Sequence, residues 1–206
     1  MGKTSEIAEL HARILQEFPD TNILINNAGI MRTINVHETG QSLEDITSEI
    51  VTNLSGPIQM IKQFLPHLKS KNIAAIVNVT SGLAFVPLPI SPVYCATKAG
   101  LHSFTLSLRA QLKNTSIKVF ELAPPATETD LLSHSDPEDM KGVPIMKTAD
   151  MVATAIKGML QDRFEIRPGQ SNQLKLMSRI APASIPDSIP DSVPDSVPLP
   201  SIKRQA

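Results

Sequence analysis

Cysteine, tryptophan and tyrosine are almost missing from this chain. Its single cysteine, Cys95, can form no internal disulfide, a usage that suits a reducing, cytoplasmic setting. There is no tryptophan, one tyrosine, and aromatics reach only 3% of the 206 residues. Glycine is scarce as well, 9 residues against 17 prolines. No stretch approaches the roughly 18 continuous apolar residues that a membrane span needs. The opening MGKTSEIAELHARIL has neither the basic flank nor the apolar run of a secretory signal. Neither sign of charge dominates: 19 basic and 20 acidic residues leave a net charge of −1. That removes the global electrostatic case for nucleic acid or an anionic membrane. With 41% apolar and 19% charged residues, a packed core is feasible, on the scale of one domain with or without a tail.

The prolines are unevenly spread. Six lie between Pro182 and Pro200, in a four-residue repeat of an aliphatic residue followed by Pro-Asp-Ser. Proline at that spacing forbids a helix, and the repeat is too poor in apolar residues to form a core. Residues 182–206 therefore read as a disordered or polyproline-like tail. Upstream, helical and strand patterns alternate. Ile7, Leu10, Ile14, Leu15 and Phe18 are spaced for a helix capped at Thr4 and stopped at Pro19-Asp20. Asn22-Ile23-Leu24-Ile25-Asn26 reads as a short buried strand. Ser42-Leu43-Glu44-Asp45 resembles a capping box. Leu43, Ile46, Ile50, Leu54, Ile58, Ile61, Leu65 and Leu68 then trace one helical stripe, with Gly56-Pro57 expected to bend the helix. Further strands are expected at 74–79, 117–122 and 163–167. Further helices are expected at 92–112, with Ser91 as cap, and at 148–160. This alternation predicts an α/β layered domain with a mostly parallel sheet.

In such a sheet, ligands sit beyond the carboxyl ends of the strands. There the chain places Asn26-Asn27-Ala28-Gly29, Thr80-Ser81-Gly82 and Pro124-Pro125-Ala126-Thr127-Glu128-Thr129. Small and amide residues allow close approach of a flat ligand. Tyr94 and Lys98, four apart, share one face of the next helix. A phenol with a reference pKa near 10 becomes a usable acid or base when a nearby ammonium lowers it. Ser81, 13 residues before Tyr94, can bond the same substrate oxygen. Asn53, a poor helix former in mid-helix, either faces solvent or serves a polar task through its amide. Cys95 points to another face and reads as a buried structural thiol, and His102 as a packing or surface residue.

In their order and spacing, these motifs resemble the short-chain dehydrogenase/reductase family over residues 3–181. The stretch Glu121-Leu122-Ala123-Pro124-Pro125-Ala126-Thr127-Glu128-Thr129-Asp130-Leu131 looks most like its DltE-type branch. The resemblance implies a Rossmann-like doubly wound fold with helices on both faces. It also implies hydride transfer between NAD or NADP and a small carbonyl or alcohol. Tyr94 would be the general acid/base, Lys98 would lower its pKa and hold the nicotinamide ribose, and Ser81 would orient the substrate oxygen. Asn53 would hold a water linking Lys98 to solvent. Asn26, Ala28 and Gly29 would contact the adenosine side of the cofactor, and Pro124, Thr127 and Thr129 the nicotinamide. Family members dimerise through helices matching 43–68 and 92–112, so a homo- or heterodimer is expected.

One family feature is missing. After Gly2 there is no glycine before Gly29, so the glycine-rich strand-to-helix turn that cradles a pyrophosphate has no counterpart. Matched to the family, the chain begins after the third strand, leaving out roughly 60–80 residues at about 30 per βαβ unit. The strand at 22–26 is then expected to be a bare edge and cofactor binding to be impaired. The competing expectation is a catalytically inactive remnant acting as a dimerisation or binding module. The loop over 133–147, with Met140 and Met146, is expected to cover an apolar substrate.

Overall fold

The computed structural model describes residues 4–37, 42–133 and 141–180. The proline-rich tail and Met140 lie outside them. The elements run α1 (Thr4–Glu17), β1 (Ile23–Asn26), α2 (Leu43–Ile50), a π-helical turn (Val51–Ser55), α3 (Gly56–Lys69), β2 (Ala74–Val79) and a 3₁₀ turn (Gly82–Ala84). There follow α4 (Pro92–Gln111), β3 (Ile117–Leu122), α5 (Asp130–Ser133), α6 (Thr148–Leu160), β4 (Glu165–Ile166) and α7 (Gln170–Ile180). The four strands lie in the order β1-β2-β3-β4, every pair parallel.

The alternation of side chains along each strand builds two cores. On one face Leu24, Ile76, Ile117 and Val119 pack with Ile7, Met60, Phe64, Leu68 and Leu108 of α1, α3 and α4. On the other, Val77, Phe120, Leu122 and Ile166 pack with Ala155 of α6. The sheet is thus covered by helices on both sides, as a parallel sheet requires. α6 lies so close that a Cβ on Gly158 would come within 2.7 Å of Ile166 Cγ1.

Five local readings are corrected. The strand at 22–26 is buried on one face only: Leu24 and Asn26 point inward, while Ile23 and Ile25 are more than half exposed. Among the described residues β1 pairs only with β2, so it is the edge expected. Phe18, expected in the α1 stripe, is exposed. In the long helix, the irregularity falls at the π turn rather than at Gly56-Pro57 itself. Pro57 has no N–H for the Asn53 carbonyl and its ring crowds that carbonyl. The preceding turn widens, and the Gly56 N–H reaches back to the Val51 oxygen. The extra residue rotates the apolar stripe, so Leu43 and Ile50 are exposed and Glu49, Asn53 and Met60 are buried in their place. Ser42 caps α2 as expected, accepting from the Asp45 N–H at 3.1 Å. Ser91 precedes α4 but makes no capping bond, and its hydroxyl is buried without a partner. The strand expected at 163–167 shortens to two residues, and α7 carries no signal that the periodicity identified.

Candidate active site

The carboxyl ends of β1, β2 and β3 and the first half of α4 meet at one place. Asn53 is fully buried there. Its Nδ2 donates to the Ile30 carbonyl at 2.7 Å and to Thr97 Oγ1 at 3.2 Å, and its Oδ1 accepts from the Ile30 N–H at 2.9 Å. Thr97 in turn donates to the Tyr94 carbonyl at 2.7 Å. A single amide thus pins the loop after β1 to α4, and its side chain is occupied by protein groups. Gly29 leads into that loop. A Cβ there would stand 3.4 Å from both Lys98 Nζ and Asn53 Oδ1, in contact with the ammonium, whereas glycine leaves that side of it clear.

Tyr94 and Lys98 lie one turn apart on α4, as their spacing requires. The Lys98 ammonium donates to the Val79 carbonyl at 2.9 Å and stands 5.6 Å from the centre of the Tyr94 ring. The Ser81 side chain stands close enough to the Tyr94 phenol to draw its pKa down. Ser81 also accepts from the Leu83 N–H at 3.1 Å, which starts the 3₁₀ turn. The structure therefore brings Ser81, Tyr94, Lys98, Asn53 and Gly29 together.

Electrostatics differ from the expectation that Lys98 lowers the Tyr94 pKa. Burial pushes the phenol up to about 12, the nearby Ser81 side chain pulls it down, and the Cys95 and Glu49 charges raise it further. Burial also pulls the Lys98 ammonium down to about 8. In this dry setting the cost of stripping water from a phenolate dominates.

The remaining expected residues are placed as follows. Asn26 is buried and donates to Asn78 Oδ1 at 2.8 Å, so its amide faces the sheet. Ala28 is exposed beside Gly29. The Pro124 carbonyl accepts from the Gly82 N–H at 2.8 Å, which ties the loop after β3 to the turn carrying Ser81. Thr127 is buried and donates to the Pro125 carbonyl at 2.9 Å, while Thr129 is exposed and donates to the Thr127 carbonyl at 3.2 Å. Met146, from the loop expected to cover the substrate, forms a parallel bridge with Thr127. Cys95 is buried and accepts from the Leu88 N–H at 3.2 Å, in keeping with a structural thiol.

Two charged residues near the site escaped the sequence reading. Glu49 is fully buried two residues before the π segment, and neither carboxylate oxygen has a hydrogen-bond partner among the described residues. Burial pushes its pKa up, while the backbone and charge of nearby Arg32 pull it down. Glu121 is fully buried at the end of β3 and bonded to His102. His102 packs edge-on against Phe85 and also binds this carboxylate. A carboxylate within the apolar strand Ile117-Lys118-Val119-Phe120-Glu121-Leu122 is the signal that marks it.

Residues 1–140 match the family model of short chain dehydrogenases. The chain is 42% identical over 164 residues to the uncharacterized oxidoreductase DltE of Bacillus subtilis, covering 79% of this chain and 64% of that protein. It is 36% identical over 116 residues to the NADP-dependent 3-hydroxy acid dehydrogenase of Schizosaccharomyces pombe, covering 56% of this chain and 44% of that one. Among solved structures it superposes on a short chain dehydrogenase from Burkholderia cenocepacia in complex with NADP. That match has a TM-score of 0.75 and 27% identity, and covers 87% of this chain and 73% of that one. The chain spans just under two thirds of the length of the DltE protein. A Tyr-Lys-Ser-Asn constellation at the carboxyl edge of a parallel sheet, together with these matches, places the chain in the short-chain dehydrogenase/reductase family, in its DltE-like branch.

Proposed function

We propose that this protein is an NAD(P)-dependent oxidoreductase that interconverts a small carbonyl compound and its alcohol, with Tyr94 as the general acid/base. The observation that carries the reading is the convergence of the Tyr94 phenol, the Ser81 hydroxyl and the Lys98 ammonium beside the open face of Gly29. When bound, the nicotinamide supplies or accepts the hydride. Tyr94 gives its proton to the substrate oxygen, and Ser81 holds that oxygen in line with the phenol. Lys98 has the donors for a pair of ribose hydroxyls and the charge to steady an ionised Tyr94. The Asn53 carbonyl, deprived by Pro57 of its α-helical donor, is the group to hold a water at the end of this proton path.

The described residues suit the nicotinamide–ribose side of the cofactor, since the space before Lys98 is one that a side chain at Gly29 would fill. Ala28, Pro124, Thr127 and Thr129 border the same edge, whereas the buried Asn26 steadies the sheet. No glycine-rich strand-to-helix turn for the pyrophosphate lies among the described residues. No helix among the described residues is long and apolar enough to cross a membrane. A cytoplasmic enzyme pairing through α2–α3 and α4 fits the exposed Leu43, Ile50 and Leu106 on those helices. The test is titration of the folded chain with NADH and NADPH by nicotinamide fluorescence, then cofactor oxidation with aldehydes and ketones. A folded sample that neither binds nor oxidises either cofactor would overturn the reading for this chain.

A further inference from the structure

Tyr94, Lys98 and His102 follow one another at intervals of four along α4, so they share one face. The third of them is tied into the sheet. His102 Nδ1 lies 2.9 and 2.8 Å from the two oxygens of Glu121, whose side chain is fully buried. The same carboxylate accepts from Thr80 Oγ1 at 2.7 Å, and Thr80 is the residue before Ser81. One carboxylate therefore holds the helix that presents the phenol and the strand end that presents the orienting hydroxyl. It stands two residues from Ala123, where the loop toward Thr127 leaves the sheet.

A second layer closes over this pair. Glu165, the register partner of Glu121, is ion-paired to Lys175 of α7 and to Arg167 at 3.0 Å. The Lys175 ammonium stands 4.9 Å from the centre of the Phe85 ring, which meets His102 edge-on at 5.1 Å. Ligand atoms of His102, Glu121 and Glu165 lie within 4.8 Å of one another, a spacing open to a metal ion. Lys175 and Arg167 already supply the positive charge there, so a structural network fits the charges better than a divalent cation.

We propose that Glu121, clamped between His102 and Thr80, is a positioning residue that holds α4 and the Ser81 corner in a common register, setting the approach of Tyr94 to Ser81. The proposal rests on the catalytic reading above. Buried ionic groups contribute little net stability but can select one arrangement of a core. Here the arrangement selected is the distance between two groups that must reach one oxygen.

The test uses Thr80→Val, His102→Leu, their double variant and Glu121→Gln in the full chain. The amide of Glu121→Gln can still accept from Thr80 and donate to a neutral His102, so it is the conservative rescue. NADPH with hexanal is the activity probe. Thr80→Val and His102→Leu should each lower kcat by about tenfold with the KM for NADPH within about twofold. The double variant should be no worse than the weaker single, because both act through one carboxylate. Glu121→Gln should stay near the parent.

The second readout needs no turnover. Tyr94 is the only tyrosine in a chain without tryptophan, so acrylamide quenching of its fluorescence reports its seating. Quenching should rise in Thr80→Val and His102→Leu and return in Glu121→Gln. Parent-like kcat and quenching in both single variants would overturn the proposal, as would strictly multiplicative losses in the double variant. A parent without turnover whose quenching still responds to these variants would sink the catalytic reading and leave the clamp standing.

Discussion

Lys98 carries its ammonium into a place where 3% of the residue is exposed, and this has a measurable consequence for stability. Burial takes its pKa from 10.5 to about 8. At about 1.4 kcal/mol per pH unit, that fall of roughly 2.5 corresponds to about 3 kcal/mol. A depressed folded-state value favours the neutral amine, so its stabilising contribution is complete above pH 10.5, the unfolded value, and is lost as pH falls through about 8. Below that pH the native state bears a charged, desolvated lysine, compensated in part by the Val79 carbonyl at 2.9 Å.

Lys98→Met removes the titration and keeps an unbranched side chain. The parent should therefore gain about 3 kcal/mol on the variant as pH rises from 8 to 10.5. Urea unfolding followed by far-ultraviolet circular dichroism, at a series of pH values across this window, reads the difference directly. Tyr94 and the surface lysines titrate in both proteins and cancel to first order. A parent–variant difference that stays flat across the window would refute the argument, because it would mean that Lys98 is solvated or fully paired. The same variant should lose turnover, having given up the cation beside Tyr94.

Tyr94→Phe should lower turnover by about 10²–10⁴-fold, the usual loss with a general acid. Its melting transition should stay close to the parent's, since only a hydroxyl is removed from a ring that stays buried. Glu49→Gln should gain stability relative to the parent as pH rises above the usual carboxylate range. Burial raises the Glu49 pKa, so the parent's contribution is complete in acid and is lost as the carboxyl ionises. Thermal melts at pH 5 and pH 8 that show no change in the difference would contradict this. Gly158→Ala should destabilise by about 1–3 kcal/mol, because its Cβ would meet Ile166 Cγ1 at 2.7 Å. Chemical denaturation that finds it neutral would show that α6 can shift freely from β4.

Much of the architecture was legible because period and breakers are local. Strands 74–79 and 117–122 and the helix 148–160 agree with the structure residue for residue, since branched aliphatic runs and capped amphipathic stretches define themselves. The long helix shows where local reading stops. Its apolar stripe was real, but Pro57 inserts a π turn that rotates the helix face. Which residues are buried therefore depended on a hydrogen bond that was not made. α7 was missed because its buried residues are Ser171 and Lys175, and a helix docked by polar contacts leaves no hydrophobic period.

The site divides in the same way. Spacing alone put Tyr94 and Lys98 on one helical face and Ser81 at the end of a strand, and order along the chain identified the family. Those are properties of sequence separation, and any chain folded as this alternating pattern demands would share them. The pKa values came from elsewhere. Lys98 was expected to lower Tyr94, yet burial raises the phenol to about 12 and lowers the ammonium to about 8, because desolvation depends on everything packed around a group. Glu121 and His102 became significant only when residues up to 41 positions apart were brought together with Thr80, and Glu49 only when its charge was buried near Tyr94. A carboxylate in the sequence is a charge; only the tertiary structure decides whether water, an imidazole or nothing faces it.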